Sequence, residues 1–122
     1  MAEGSNCSAE INYSKLPVAD GVKEYLSQRI VPDATYRNWN SYSTKTAFEK
    51  ARPDDPFGRG VNVMEAFNLL PDPQTNGGLL ITVDESAVEE VKNILKENGL
   101  EKFAVPIGRM KAVSEKTVFV QL

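Results

Sequence analysis

The sequence predicts an α+β fold, and three observations predict it. Strand character recurs at four places: residues 8–13, 79–83, 103–110 and 117–122. Apolar residues fall at helical spacing in at least three others: residues 20–30, 62–70 and 84–98. From residue 79 to the C-terminus the order is strand, helix, strand, turn, strand. A length of 122 residues suits one domain.

The elements follow in chain order. Residues 1–4 read like the tail of a helix stopped by Gly4, which implies a domain whose beginning lies upstream. In residues 8–13 small or apolar side chains alternate with polar ones, placing Ala9, Ile11 and Tyr13 on one face. Residues 14–17 turn the chain. Residues 20–30 carry Val22, Tyr25, Leu26 and Ile30 on one helical stripe, with Asp20 as its N-cap and Pro32 as its limit. Residues 31–43 read as a loop whose three aromatics cover neighbouring elements. Residues 44–60 read as a polar surface connection with a short helical turn at 46–51. Val63, Met64, Phe67 and Leu70 then set a short helix running into Pro71.

Leu79 to Val83 reads as a buried strand. Residues 84–98 form the clearest helix. Asp84 or Ser86 caps it, Glu89 pairs with Lys92, and Gly99 stops it. Residues 103–110 read as a strand with Pro106 at an edge or bulge, and residues 113–116 as a turn. In the final strand Val118 and Val120 share a face, opposite Phe119.

Composition excludes several functions. Lys and Arg number 14 against 17 Asp and Glu, a net charge of −3 that does not suit nucleic acid. No apolar run is long enough to span a membrane, and the first residues lack the character of a signal peptide. The single cysteine, Cys7, allows no internal disulfide and fits a reducing cytoplasm. With no nearby cation, Cys7 reads as structural. The chain has no histidine, so Ser-His and Cys-His catalysis and His-ligated zinc are excluded within it. Asp54 and Asp55 are adjacent, and neighbouring side chains seldom converge on one Mg²⁺. Gly58-x-Gly60 and Gly77-Gly78 fit neither a phosphate loop nor a dinucleotide fingerprint. No catalytic residue and no metal ligand is therefore assigned.

The most informative stretch is Leu70-Pro71-Asp72-Pro73-Gln74-Thr75-Asn76-Gly77-Gly78-Leu79-Leu80. Two prolines stiffen it around Asp72, and the glycines permit positive φ or close approach. Asp72, Gln74, Thr75, Asn76, Gly77 and Gly78 are thereby offered to a ligand or a partner domain. A tight turn ahead of a strand is the purely structural alternative.

This stretch resembles the Asp-Pro-Gln-Thr-Ser-Gly-Gly-Leu-Leu signature of the selenophosphate synthetases, also called selenide, water dikinases, with Asn76 in place of Ser. Pro32, Thr35, Arg37 and Asn38 resemble the family's Pro-Gly-Gly-Thr-x-Arg-Asn segment, with Asp33 and Ala34 for its glycines. Glu3-Gly4-Ser5, Ala9 to Asn12, Leu16-Pro17, Gly21-Val22 and Ile107-Gly108 follow in family order, whereas residues 44–61 match poorly.

The resemblance implies helices packed on a mixed sheet of about four or more strands, as in the C-terminal domain of aminoimidazole ribonucleotide synthetase. It implies that residues 1–122 are one N-terminally incomplete C-terminal domain. The family reaction converts ATP, selenide and water to selenophosphate, AMP and phosphate. ATP and Mg²⁺ belong to the complete enzyme, with no cofactor in this chain. The implied partner is the N-terminal ATP-binding domain, with a homodimer also open and neither nucleic acid nor membrane expected. The loop would face the cleft toward that domain. Thr35, Arg37 and Asn38 are implied as a second anion-binding group. A stand-alone binding or regulatory module without catalysis, and an inactive excised fragment, are the alternatives.

Overall fold

The computed structural model describes residues 1–49, 63–74 and 76–122. Its centre is a mixed four-stranded sheet of β1 (Cys7–Asn12), β2 (Thr46–Glu49), β3 (Gly108–Ala112) and β4 (Val118–Gln121), in the order β2-β4-β1-β3. β1 runs antiparallel to β3 and parallel to β4, and β2 runs parallel to β4. The register sets Ala9 between Met110 and Val118, and Phe48 opposite Val120. Since side chains alternate along a strand, Ala9, Ile11, Phe48, Met110, Val118 and Val120 share one face. Glu10, Lys111 and Phe119 share the other.

The core lies on the first face. Tyr13, Ala66 and Val120 are its buried members, with Leu16, Phe48, Leu69, Leu70, Val118 and Leu122 packed around them. Burying a side chain such as Val120 is worth about 1.5–3 kcal/mol. On the opposite face Ser8 is fully buried; its hydroxyl donates to the Lys116 carbonyl and accepts the Ser114 N–H. Those bonds seat the turn expected at 113–116. Cys7 opens β1, and its thiol donates to the Ser5 carbonyl.

Several helix boundaries differ from the sequence reading. The N-terminal turn is a 3-10 helix, Glu3–Ser5, and Asn6 in the left-handed region ends it, not Gly4. α1 (Val22–Ser27) starts after Gly21, whose φ is 82°, so Asp20 is not its cap. It stops before reaching Pro32 because Arg29 turns left-handed at φ 62°, with Arg29 N–H on Leu26 O and Ile30 N–H on Tyr25 O. That is a Schellman stop with an arginine where glycine is usual.

Residues 31–43 are not a loop. They hold α2 (Asp33–Tyr42), which starts after Pro32. Its weak intrinsic propensity is overridden by packing: Trp39 stacks on Phe48 with centroids 5.4 Å apart and makes a T-shaped contact with Phe67, centroids 4.5 Å apart. Trp39 covers its neighbours as expected of the aromatics, but Tyr36 and Tyr42 stay exposed. Neither Asp33 nor Ala34 takes a positive φ, so a helical first turn accommodates both.

The helical turn expected at 46–51 is instead β2 where described, because Thr46 and Phe48 suit a strand and pair with β4. Residues 50–62, with Arg52, Asp54, Asp55, Gly58, Arg59 and Gly60, lie outside the described residues.

α3 (Val63–Leu69) agrees with its predicted helix. The predicted strand at 79–83 does not form: Leu79, Leu80, Ile81 and Val83 are exposed, Leu79 to 91%, and among the described residues no strand pairs with them. Asp84 caps a 3-10 turn, Glu85–Ala87, by accepting the Ser86 N–H and hydroxyl; α4 (Val88–Glu97) follows. Glu89 pairs with Lys92 at 2.6 Å, and Gly99 at φ 71° completes a second Schellman stop. The strand predicted at 103–110 begins only at Gly108, beyond Pro106, since proline lacks the N–H a ladder needs. Among the described residues no helix is long and apolar enough to cross a membrane.

Candidate functional site

The site builds outward from α3, the helix that delivers the loop at 70–78. Three contacts hold α3. The buried Tyr13 hydroxyl donates to Glu65 Oε1 at 3.0 Å, and Lys23 Nζ lies 3.2 Å from the same oxygen. Phe67 meets Trp39 in a T-shaped contact. Burial, then the Glu65 carboxylate, pushes the Tyr13 phenol above its ordinary range, so Tyr13 remains a neutral donor. The chain thus leaves α3 from a fixed platform.

The loop is anchored where it leaves that platform. Asn38, on α2, donates its amide Nδ2–H to the Pro71 carbonyl at 2.9 Å. Leu70 N–H bonds to Ala66 O, Asp72 N–H to Leu69 O, and Gln74 N–H to Asp72 O. The two segments that the sequence singled out, 32–38 and 70–78, are therefore joined through Asn38 and Pro71.

Asp72 is half-buried at the start of the loop, and Gln74, Asn76, Gly77 and Gly78 are exposed. Thr75 lies outside the described residues. Neither Gly77 nor Gly78 takes a positive φ. A Cβ on Gly77 would meet the Gln74 side-chain oxygen at 2.7 Å, while Gly78 has open space around it. Its freedom is therefore not used for a turn here.

The second group does not converge. Thr35 is fully buried, with no hydrogen-bond partner for its hydroxyl, whereas Arg37 is exposed. Two residues two apart on a helix face different ways. Asn38 spends a donor on Pro71. Thr35, Arg37 and Asn38 are thus divided among core, solvent and loop.

Among the described residues, no three Cys, Asp or Glu side chains are placed to hold a metal ion. Beyond the Asp72 carboxylate, the exposed part of the loop offers neutral donors: the Gln74 and Asn76 amides and the backbone N–H groups of Gly77 and Gly78. Such donors bind anionic oxygens without proton transfer. The covering role of Trp39 was expected, but not the helix that presents it. The Tyr13–Glu65 bond, which helps to position α3, escaped the sequence reading because it pairs distant segments with no local signal.

Residues 1–121 match the family described as AIR synthase related protein, C-terminal domain. The chain is 36% identical over 122 residues to the selenide, water dikinase of Haemophilus influenzae strain KW20, covering all of this chain and 31% of that protein. It is 37% identical over 120 residues to the selenide, water dikinase of Pseudomonas straminea, covering 98% of this chain and 30% of the relative. Against that of Bordetella bronchiseptica it is 38% identical over 112 residues, covering 92% and 28%. The chain therefore spans less than a third of the length of each of these relatives.

Proposed function

Because the chain belongs to the family of AIR synthase related protein C-terminal domains, we propose that it serves as the C-terminal part of a selenide, water dikinase. In that role it supports ATP-dependent synthesis of selenophosphate by an ATP-binding domain supplied by the rest of the enzyme. The observation that carries this reading is the alignment of all 122 residues with one part of the Haemophilus protein.

Among the described residues no group of three Cys, Asp or Glu side chains is placed to hold Mg²⁺. No chemical step is assigned to this chain. Its contribution is a neutral donor surface, Gln74, Thr75, Asn76 and the backbone from Gly77 to Gly78, with Asp72 at its base. That surface would face the ATP-binding domain and hold phosphate oxygens or the domain itself. Thr35 and Arg37 are secondary candidates for the same anions, and Asn38 holds the loop at Pro71. A reducing cytoplasm is the proposed compartment.

The test is a chimera in which this chain replaces the matching part of the Haemophilus enzyme. Selenide-dependent AMP formation is expected from the chimera, and none from the chain alone. A folded chimera without that activity would refute the reading. Gly78→Ala, which meets open space, separates loop function from stability: lower turnover at unchanged Tm supports a contact at the loop, and unchanged turnover argues against one.

A further inference from the structure

The chain contains two Asn-Gly dipeptides, Asn76-Gly77 and Asn98-Gly99. Asparagine is chemically labile ahead of glycine. The backbone nitrogen of the next residue attacks the side-chain amide carbon, and glycine has no Cβ to obstruct that approach or to restrict the backbone rotation it needs. Both dipeptides are exposed, so access of water does not separate them. Hydrogen bonding does.

At Asn98-Gly99 the reacting groups are engaged. Asn98 is the C-cap of α4, and its side-chain Nδ2–H donates to the Ile94 carbonyl at 2.8 Å. The Gly99 N–H, the would-be nucleophile, donates to the Lys96 carbonyl at 3.0 Å, and the Leu100 N–H closes the Schellman stop on Leu95 O at 2.8 Å. Attack there requires the end of α4 to open first.

Asn76-Gly77 is held differently. Among the described residues neither the Asn76 amide nor the Gly77 N–H has a hydrogen-bond partner. The loop is tied at Pro71 by Asn38. Beyond it, Leu79 is 91% exposed and, among the described residues, paired with no strand. The backbone after Asn76 can therefore turn toward its own side chain without breaking a bond of the fold. A Cβ on residue 77 would lie 2.7 Å from Gln74 Oε1, so only glycine leaves that side open.

We propose that Asn76-Gly77 is a site of spontaneous covalent modification in the folded chain, where the loop exchanges the Asn76 amide for a carboxylate, and that Asn98-Gly99 is spared. Hydroxide takes the Gly77 N–H proton, and the nitrogen bonds to Asn76 Cγ. The Cγ–Nδ2 bond breaks, and ammonia leaves with a proton from water. The product is a cyclic imide. Water then adds to one of its two carbonyls. Breaking the new N–Cγ bond leaves aspartate at 76; breaking the original peptide bond leaves isoaspartate, with the chain running through the side-chain carbon. Nothing is oxidised or reduced, and water is the only co-reactant consumed.

The consequence rests on the function proposed above. A negative charge enters a group of donors that face phosphate oxygens and repels them. Isoaspartate also inserts an extra backbone carbon ahead of the Gly77 and Gly78 N–H groups. Both changes weaken anion binding at the loop.

Peptide mapping of the full chain, held in native buffer at mildly alkaline pH, tests the modification. Digestion in mild acid and chromatography separate asparaginyl from aspartyl and isoaspartyl peptides. The asparaginyl peptide containing residue 76 should be lost at least about tenfold faster than that containing residue 98, whose reaction must first break hydrogen bonds. In urea the two rates should converge. Gly77→Ala should slow the loss at 76 by at least about tenfold. Equal native rates, faster loss at 98, or a gap that persists in urea would overturn the proposal. So would an unchanged rate in Gly77→Ala. The chimera tests the consequence: its turnover should fall in step with conversion at 76, and a fresh Asn76→Asp chimera should start at the lowered turnover with its Tm unchanged. Full turnover after conversion would overturn the effect on binding. A chimera inactive when fresh counts against the proposed function, and the peptide map still decides the modification.

Discussion

The half of the molecule around β4 and the stretch after Gly78 are built from similar residues and end up in opposite states. Val120 is 2% exposed and Ala66 is fully buried, whereas Leu79 is 91% exposed. β4 has a partner strand on each side and α3 beneath it; among the described residues the run 79–83 has neither. Apolar strand character alone does not bury a strand. A strand needs an edge to pair with and a layer to cover it. The comparison also locates the candidate loop, which sits at the boundary between the two regimes, tied to the covered half at Pro71.

Gly108 gives the sharpest test of the covered half. A Cβ there would lie 2.0 Å from the Glu10 backbone oxygen, and backbone at the centre of a sheet cannot step aside cheaply. Gly108→Ala should cost about 3 kcal/mol or more, seen as a large drop in the urea midpoint. A midpoint within experimental error of the parent would mean that β1 and β3 are not paired as described.

The next effect belongs to the boundary. Asn38→Ala removes the donor from the half-buried Pro71 carbonyl and should cost about 1–2 kcal/mol. It should also lower turnover in the chimera by more than its Tm predicts, because the loop loses its fixed end. Equal melting curves would mean that the Asn38–Pro71 bond is replaced by water at no cost, and that the loop is not held from α2.

These contrasts explain what was legible in the sequence. The mixed sheet with helices was anticipated through the resemblance, and β1, β4, α3 and α4 were anticipated from their own periodicity. Their apolar spacing is local and matches the packing. α2 was not legible because Thr, Asn, Ser and aromatics favour other local states; Trp39 wins only by packing on Phe48 and Phe67, both outside its own helix. β2 was hidden for a similar reason: four residues between polar connections become a strand only beside β4. The run 79–83 failed the other way, with strong local signal and no pairing. For the candidate site, the loop was singled out by its prolines and glycines. Its anchor was not, since an amide meeting a carbonyl across |i−j| = 33 leaves no trace in either segment.

The two Schellman stops carry the comparison further at smaller scale. Arg29 closes α1 at φ 62° in the covered half, and Gly99 closes α4 at φ 71° in the other. Arg29→Gly should raise stability by about 0.5–1 kcal/mol by removing a strained Cβ, less the entropy glycine adds to the unfolded chain. Gly99→Ala should cost about 1 kcal/mol. The probe decides its meaning. If Gly99→Ala lowers the global midpoint, α4 folds with the sheet as one unit. If it only speeds amide exchange within α4, the stretch after Gly78 unfolds on its own.

Acid supplies the smallest test, read at the start of α4. Hydrogen bonds from the Ser86 hydroxyl and N–H hold Asp84 below the usual aspartate range, and the Lys92 ammonium does the same to Glu89. For a carboxylate whose folded pKa is depressed, the contribution is complete above the unfolded value, near 4, and fades as pH falls through the folded one. Both side chains are exposed, so the contribution is small and screened by salt. Protonation removes the cap at Asp84 and the Glu89–Lys92 pair, and both lie in the first turns of this segment. Amide exchange at the start of α4, corrected for its intrinsic pH dependence, should therefore quicken as pH falls below about 4. That quickening should shrink in high salt and vanish in the combined variant Asp84→Asn, Glu89→Gln. Acceleration that persists in the variant would place the acid sensitivity elsewhere, and the contrast between a locally capped α4 and a packed β4 would lose its electrostatic half.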